Sequence, residues 1–162
     1  MEYKRLYLVY GSNINLEQMA KRCPNSKVIG TAMVPDYELE FRGVATIVPK
    51  KGAEVPVLMW EIDQQDELNL NSYEGFPRLY RKEIFEMEVD GKIREGMAYL
   101  MNYRGIAPPT AQYYNGIKKG YEDNGMDTKY LHDALVRSVE YQQSEVLEHE
   151  EFMEDELQIS LE

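Results

Sequence analysis

Apolar residues fall mostly in short blocks or alternate with polar ones, and they recur at helical spacing in only a few places. Leu6–Tyr10 is apolar and predicts a first strand, which stops on Gly11-Ser12-Asn13. Asn15 can cap a helix beginning around Leu16, with Gln18 as its capping-box partner, and that helix must end before Pro24. Val28–Val34 and Tyr37–Phe41 read as strands hinged at Pro35-Asp36. Val44–Val48 follows Gly43, and Lys51-Gly52 turns the chain. Val57–Ile62 carries the only tryptophan, Trp60, and predicts a central strand. Asp63 caps a short helix with Asp66 in its first turn, where the dipole favours negative charge; Leu68 and Leu70 fall in it, and Gly75 ends it. In Glu83–Val89, Phe85, Met87 and Val89 face one side, and Glu86 and Glu88 the other. Asp90-Gly91 is the strongest hairpin signal, and Arg94–Met101 returns. From Thr110 the pattern turns helical up to Asn124-Gly125, and a last helix runs from about Thr128 into the C-terminal residues. This order is not a βαβ alternation. It predicts one α+β domain with a mixed, curled sheet and helices on its outside and ends, without internal repeats or linkers.

Composition adds limits. The chain has 162 residues, 43% of them apolar, which suits one domain with a proper core. The single cysteine, Cys23, rules out an internal disulfide and fits a reducing, cytoplasmic setting. No apolar segment of signal-peptide type follows Lys4 and Arg5, and no run reaches a membrane span. The net charge is −11, yet nine of the 29 acids sit in residues 140–162, where there is no Lys or Arg. The first 139 residues therefore hold 20 acids against 18 bases. They are read as the domain, and 140–162 as an acidic helix end or tail. With no basic stripe to displace counterions, a nucleic-acid partner is disfavoured. Oligomeric state is not legible.

Two stretches could carry chemistry. A strand followed by Gly-Ser-Asn and a helix can aim successive N–H groups at an anion, and Gly11 permits backbone angles closed to other residues. The nucleotide-binding Gly patterns are missing, so a carboxylate suits the loop better than a triphosphate. A plain strand-to-helix turn accounts for the same residues. In the second stretch, Leu70–Glu83, Glu74 stands before Gly75 among Tyr73, Phe76 and Tyr80. A carboxylate among aromatic rings loses hydration and its pKa rises, which makes a useful general base near neutral pH. A solvated last-turn glutamate would look the same. His132 and His149 lack metal spacing, and a contact between Glu145 and His149 would be an ordinary solvated pair. Nothing marks Cys23 as activated, and no Gly-x-Ser-x-Gly elbow exists.

Together, Tyr10-Gly11-Ser12-Asn13, Arg22-Cys23-Pro24, Tyr73-Glu74-Gly75 and Tyr80 resemble the gamma-glutamylcyclotransferase-like family. The stretch "PPTAQYYNGIKKGYEDNGM" is similar to that family's Pro-Ser-x-x-Tyr helix, and the resemblance covers roughly residues 5–136. It implies a small mixed β-barrel flanked by helices. It also implies an enzyme that cyclises a γ-glutamyl group to 5-oxoproline and releases an amine or amino acid. By the same resemblance, Glu74 is the catalytic glutamate and the Tyr-Gly-Ser-Asn loop holds the γ-glutamyl end through backbone amides. Tyr7, Tyr10, Gly11, Ser12, Asn13, Tyr80 and Tyr113 then bind substrate.

That chemistry asks little of the protein. The substrate brings its own nucleophile, the α-amine, and its own electrophile, the γ-carbonyl, so holding the folded conformer contributes several kcal/mol. One glutamate with a raised pKa can take the amine's proton and later deliver one to the leaving nitrogen. No metal, cofactor or protein nucleophile is required. Three positions depart from the family pattern. Asn71 replaces an Asp but keeps a hydrogen-bond acceptor, Thr110 replaces a Ser as cap, and Val57 replaces a Gly that often precedes the central run and could narrow the pocket. Two other classes remain: a carboxylate-binding module without catalysis, which an intact Glu74 disfavours, and a protein-interaction role through the acidic tail.

Overall fold

The computed structural model describes residues 4–102 and 104–161, with side chains through 158; Glu162, counted with the acidic tail, lies outside them. Five strands form one mixed sheet: β1 (Arg5–Val9), β2 (Lys27–Arg42), β3 (Val44–Ile62), β4 (Tyr80–Val89) and β5 (Lys92–Met101), in the order β2-β3-β1-β5-β4. Four helices accompany it: α1 (Leu16–Arg22), α2 (Gln64–Glu74), α3 (Ala111–Asp123) and α4 (Lys129–Leu161), with a short 3-10 turn at Ser12–Ile14. The architecture is the α+β one expected.

β1 is the middle strand and the most apolar, as a strand covered on both faces must be. It runs antiparallel to β3, Tyr7 opposite Trp60, and parallel to β5, Tyr7 opposite Met97. Leu6 to Tyr10 are all buried. β5 can lie this close because residue 96 is glycine: a Cβ there would fall 2.9 Å from the Leu8 side chain.

The two strands expected on either side of Pro35-Asp36 are one long strand, and so are Val44–Val48 and Val57–Ile62. The chain turns at Gly43 (φ 80°) instead, and β2 and β3 form a single hairpin. Pro35-Asp36 and Lys51-Gly52 lie opposite each other in it as an irregularity: the register slips between Pro35 and Tyr37, Asp36 has φ 60°, and its Oδ1 accepts the Gly52 N–H at 3.0 Å. Turn residues thus mark a bulge, which bends a strand without ending it. The bend curls the sheet until Tyr37 on β2 meets Phe85 on β4, ring centroids 5.1 Å apart and nearly perpendicular. The edge strands meet through side chains and not through hydrogen bonds, so the sheet is an open, curled version of the expected barrel.

Helix boundaries follow local chemistry. Asp63 and Asp66 form a full capping box, and Gly75 (φ 67°) closes α2 in the left-handed conformation. Thr110 caps α3 by accepting the Tyr113 N–H at 3.2 Å. Leu131, Ala134 and Ser138 of α4 are buried against the body, and the Arg137 guanidinium donates to the Leu39 carbonyl at 2.8 Å. From Val139 through Gln158 every residue is exposed. Among the described residues no helix is long and apolar enough to cross a membrane.

Because packing ends at Ser138, a chain cut after Ser144 should keep its fold. Its thermal midpoint is expected within about 2 °C of the full chain, less than a 1 kcal/mol loss would move a domain of this size. A larger drop, or insolubility, would show that Phe152 or Leu157 docks on the body.

Candidate active site

The polar loop after β1 is built around a tight turn. Ile14 N–H bonds back to the Gly11 carbonyl at 3.0 Å and Asn15 N–H to the Ser12 carbonyl at 3.1 Å. The amides of Gly11, Ser12 and Asn13 precede this bonding, as the first N–H groups of any helical turn do. Gly11 has φ −115°, so the turn does not depend on glycine for a left-handed angle, contrary to expectation. What the missing side chain leaves is space: a Cβ would meet only Tyr113 Oη at 3.5 Å and Ala45 Cβ at 3.7 Å.

Asn13 is 2% exposed and its side chain is consumed inside the loop. Its Nδ2 donates to Tyr7 Oη at 2.9 Å, and its Oδ1 accepts from the Arg22 guanidinium. That guanidinium also lies 3.4 Å from Ser12 Oγ and 3.5 Å from the centre of the Tyr73 ring. Arg22, in the last turn of α1, thereby ties the loop to the end of α2.

Glu74 is the last residue of α2. A carboxylate there faces the negative end of the helix dipole, and among the described residues nothing donates a hydrogen bond to it. Burial pushes its pKa up to about 7, with the Arg22 charge pulling the other way. Five tyrosines stand around it, Tyr7, Tyr10, Tyr80, Tyr99 and Tyr113. Burial raises each above the ordinary tyrosine value, Tyr113 to about 12, and the nearby Glu74 charge raises all of them further. They are neutral hydroxyls at physiological pH.

Their hydroxyls are not equally free. Tyr10 donates to the Tyr99 carbonyl, and Tyr99 donates to Asn71 Oδ1 at 2.6 Å. Asn71 thus retains the acceptor role expected of it. Tyr113 Oη accepts the Ala45 N–H at 3.0 Å, which leaves its own proton to donate. Among the described residues Tyr80 Oη has no partner. Among the described residues Tyr7 (which accepts from Asn13), Tyr80 and Tyr113 thus each keep a hydroxyl proton not committed to another group, while the Tyr10 hydroxyl and the Asn13 amide are engaged by neighbours.

All eight residues singled out from sequence (Tyr7, Tyr10, Gly11, Ser12, Asn13, Glu74, Tyr80 and Tyr113) line one hollow of about 240 Å³. Sequence reasoning missed Tyr99, Leu79, Val44 and Ala45, which line it too. Tyr99 arrives from β5, and its only sequence signal is its place in an alternating strand. Val57, expected to narrow the pocket, is buried in the core and is not part of the wall. Cys23 is buried, with its thiol pushed up to about 12 by burial, which fits a structural role. Among the described residues no group of three His, Cys, Asp or Glu could hold a metal ion.

The loop also rests on α3. At Gly120 a Cβ would lie 2.4 Å from Ile14 Cγ2 and 3.1 Å from the Ile14 carbonyl carbon, so only glycine lets the helix come this close. Asn124 Nδ2 reaches the Ile14 carbonyl at 3.5 Å.

Comparison with known proteins points one way. A family model described as gamma-glutamyl cyclotransferase, AIG2-like, matches residues 7–120. The human protein named gamma-glutamylcyclotransferase is 30% identical over 141 residues, covering 77% of this chain and 74% of its own. The mouse protein of that name has the same identity and coverage. A solved structure named gamma-glutamyl cyclotransferase superposes with a TM-score of 0.73 at 26% identity, covering 81% of this chain and 86% of its own.

Two glycines of α3 should behave oppositely. Gly120→Ala is expected to cost about 1–3 kcal/mol, the usual range for overpacking. Gly116→Ala, where a Cβ meets nothing within 4 Å, should be neutral or stabilise by up to about 1 kcal/mol through helix propensity. Denaturant unfolding measures both, and equal effects would contradict the seating of the loop on Gly120.

Proposed function

The chain belongs to the gamma-glutamyl cyclotransferase, AIG2-like family, and we propose that it cyclises a γ-glutamyl compound to 5-oxoproline with release of an amine or amino acid. The observation that carries this reading is Glu74, a desolvated carboxylate raised to about 7 and facing the Gly11–Asn13 loop across one small pocket. The loop amides receive the substrate's α-carboxylate, and Tyr80 and Tyr113 hold the γ-glutamyl chain folded.

Glu74 takes one proton from the substrate's α-ammonium. The freed amine attacks the γ-carbonyl carbon, closing a five-membered ring through a new N–C bond. As the tetrahedral centre collapses, the old γ-amide C–N bond breaks, and the proton held on Glu74 goes to the leaving nitrogen. Glu74 then takes the second surplus proton from the ring nitrogen and passes it to the departing amine, which leaves as an ammonium; the ring keeps the lactam N–H, and Glu74 returns to its carboxylate. No other reactant enters.

The raised pKa sets the energetics of the first step. An ordinary glutamate titrates near 4.3, far below the substrate's α-ammonium, so proton transfer to it is steeply uphill. With Glu74 at about 7 the same transfer is less uphill by about 4 kcal/mol. Ring closure is intramolecular, and holding the near-attack conformer lowers the barrier by several kcal/mol more.

Glu74→Gln keeps the size and a carbonyl acceptor but cannot carry a proton. It should lower turnover by roughly 10²–10⁴-fold, while binding changes far less. Glu83→Gln is the control: Glu83 is half-exposed on β4, paired with Arg81 at 2.9 Å and away from the pocket, and its loss should be near neutral. The base must be ionised, so wild-type kcat/KM should rise with pH through an apparent value near 7. A Glu74→Gln protein that releases 5-oxoproline at the wild-type rate would end this reading.

A further inference from the structure

Ser12 and Tyr113 border two hollows. Beside the main pocket, they share a second of about 240 Å³ with Gln18, Thr110, Gln112 and Gly116. Its lining contains no charged residue. Gln18 comes from α1 and Gln112 from the first turn of α3, and both are exposed. Gln18 spends only its backbone N–H on the Asn15 cap, and among the described residues neither glutamine side chain has a hydrogen-bond partner.

The glycine in this hollow is unexplained by folding. Gly116 lies inside α3, where glycine costs about 1 kcal/mol relative to alanine. It is not among the positive-φ glycines, and a Cβ there would meet nothing within 4 Å. Gly120, one turn on, is required by the approach of Ile14, but no such contact requires Gly116. What its missing side chain does is keep the second hollow open.

We propose that this hollow is the subsite for the leaving half of the substrate, and that it takes an amine with an uncharged, hydrogen-bonding tail such as a carboxamide. This rests on the cyclisation reading of the main pocket. The leaving nitrogen is one bond beyond the reacting carbon, and the subsite takes its tail across the Ser12 and Tyr113 edge that the two hollows share. A glutamine side chain offers two donors and an acceptor, which matches an amide in either orientation. A carboxylate tail can use only the glutamines' donors and an ammonium only their acceptors, and the Arg22 guanidinium beside Ser12 is already bound to Asn13 and stacked on Tyr73.

Three compounds test this: γ-glutamylmethylamide, which has no tail; γ-glutamyl-glutaminamide, with a neutral amide tail; and γ-glutamyl-glutamate, with an acidic one. Release of 5-oxoproline gives kcat/KM for each. The wild type should favour the amide tail over the acidic one by about threefold or more. Gly116→Leu, which fills the hollow, should lower the ratio of kcat/KM for glutaminamide over methylamide by about threefold or more. The double variant Gln18→Leu, Gln112→Leu changes only exposed side chains and should lower the same ratio, so the test stands even if Gly116→Leu folds poorly. A smaller drop in every variant that folds, or a wild type that favours the acidic tail, overturns the subsite while leaving the cyclisation reading intact. A wild type that releases 5-oxoproline from none of the three overturns the cyclisation reading itself, and the subsite with it.

Discussion

One carboxylate is held where neither water nor the helix favours its charge, and the rest of the site is organised around that fact. Glu74 sits at the C-terminal end of α2 among five tyrosines. Desolvation and the helix dipole both disfavour its ionised form. Arg22 is the counterweight: it lowers the pKa while burial raises it, and about 7 is the balance. The same guanidinium is bound to Asn13 and stacked on Tyr73, so the charge that tunes the base also fixes the loop opposite. With Arg22 gone, both would change together.

The fold delivers these parts from distant places in the chain. β1 runs down the centre of the sheet and ends at the loop, and the capping box at Asp63–Asp66 starts α2 so that Glu74 falls at its far end. β5 lies parallel to β1 and brings Tyr99 to the wall, where its contact with Asn71 ties sheet to helix. α3 closes the remaining side, with Tyr113 bonded to Ala45 on β3 and Gly120 set against Ile14. Each wall belongs to a different element, so the pocket exists only in the complete fold.

Local chemistry was legible in the sequence where one residue decides the outcome. Asp63, Thr110, Gly75 and Asp90-Gly91 each marked a boundary by capping or turn geometry that needs no distant partner. Turn residues misled at Pro35-Asp36 and Lys51-Gly52, because two breakers facing each other in a long hairpin make a bulge. The eight pocket residues were legible as motif positions, but their division of labour was not. That Asn13 faces inward to Tyr7 and Arg22 depends on how the loop folds back between β1 and α1, and that Tyr10 is spent on a carbonyl and Tyr99 joins the ring depends on contacts between residues far apart in the chain. Val57 shows the converse: a departure that looked like a change to the pocket is a change to the core.

The most direct test of this account is the titration of Glu74 itself, followed through its side-chain carboxyl carbon by NMR in the free protein. The account predicts a midpoint near 7, moving higher still in Arg22→Met, where the opposing charge is removed. A midpoint close to 4.3, the value of a solvated glutamate, would contradict it.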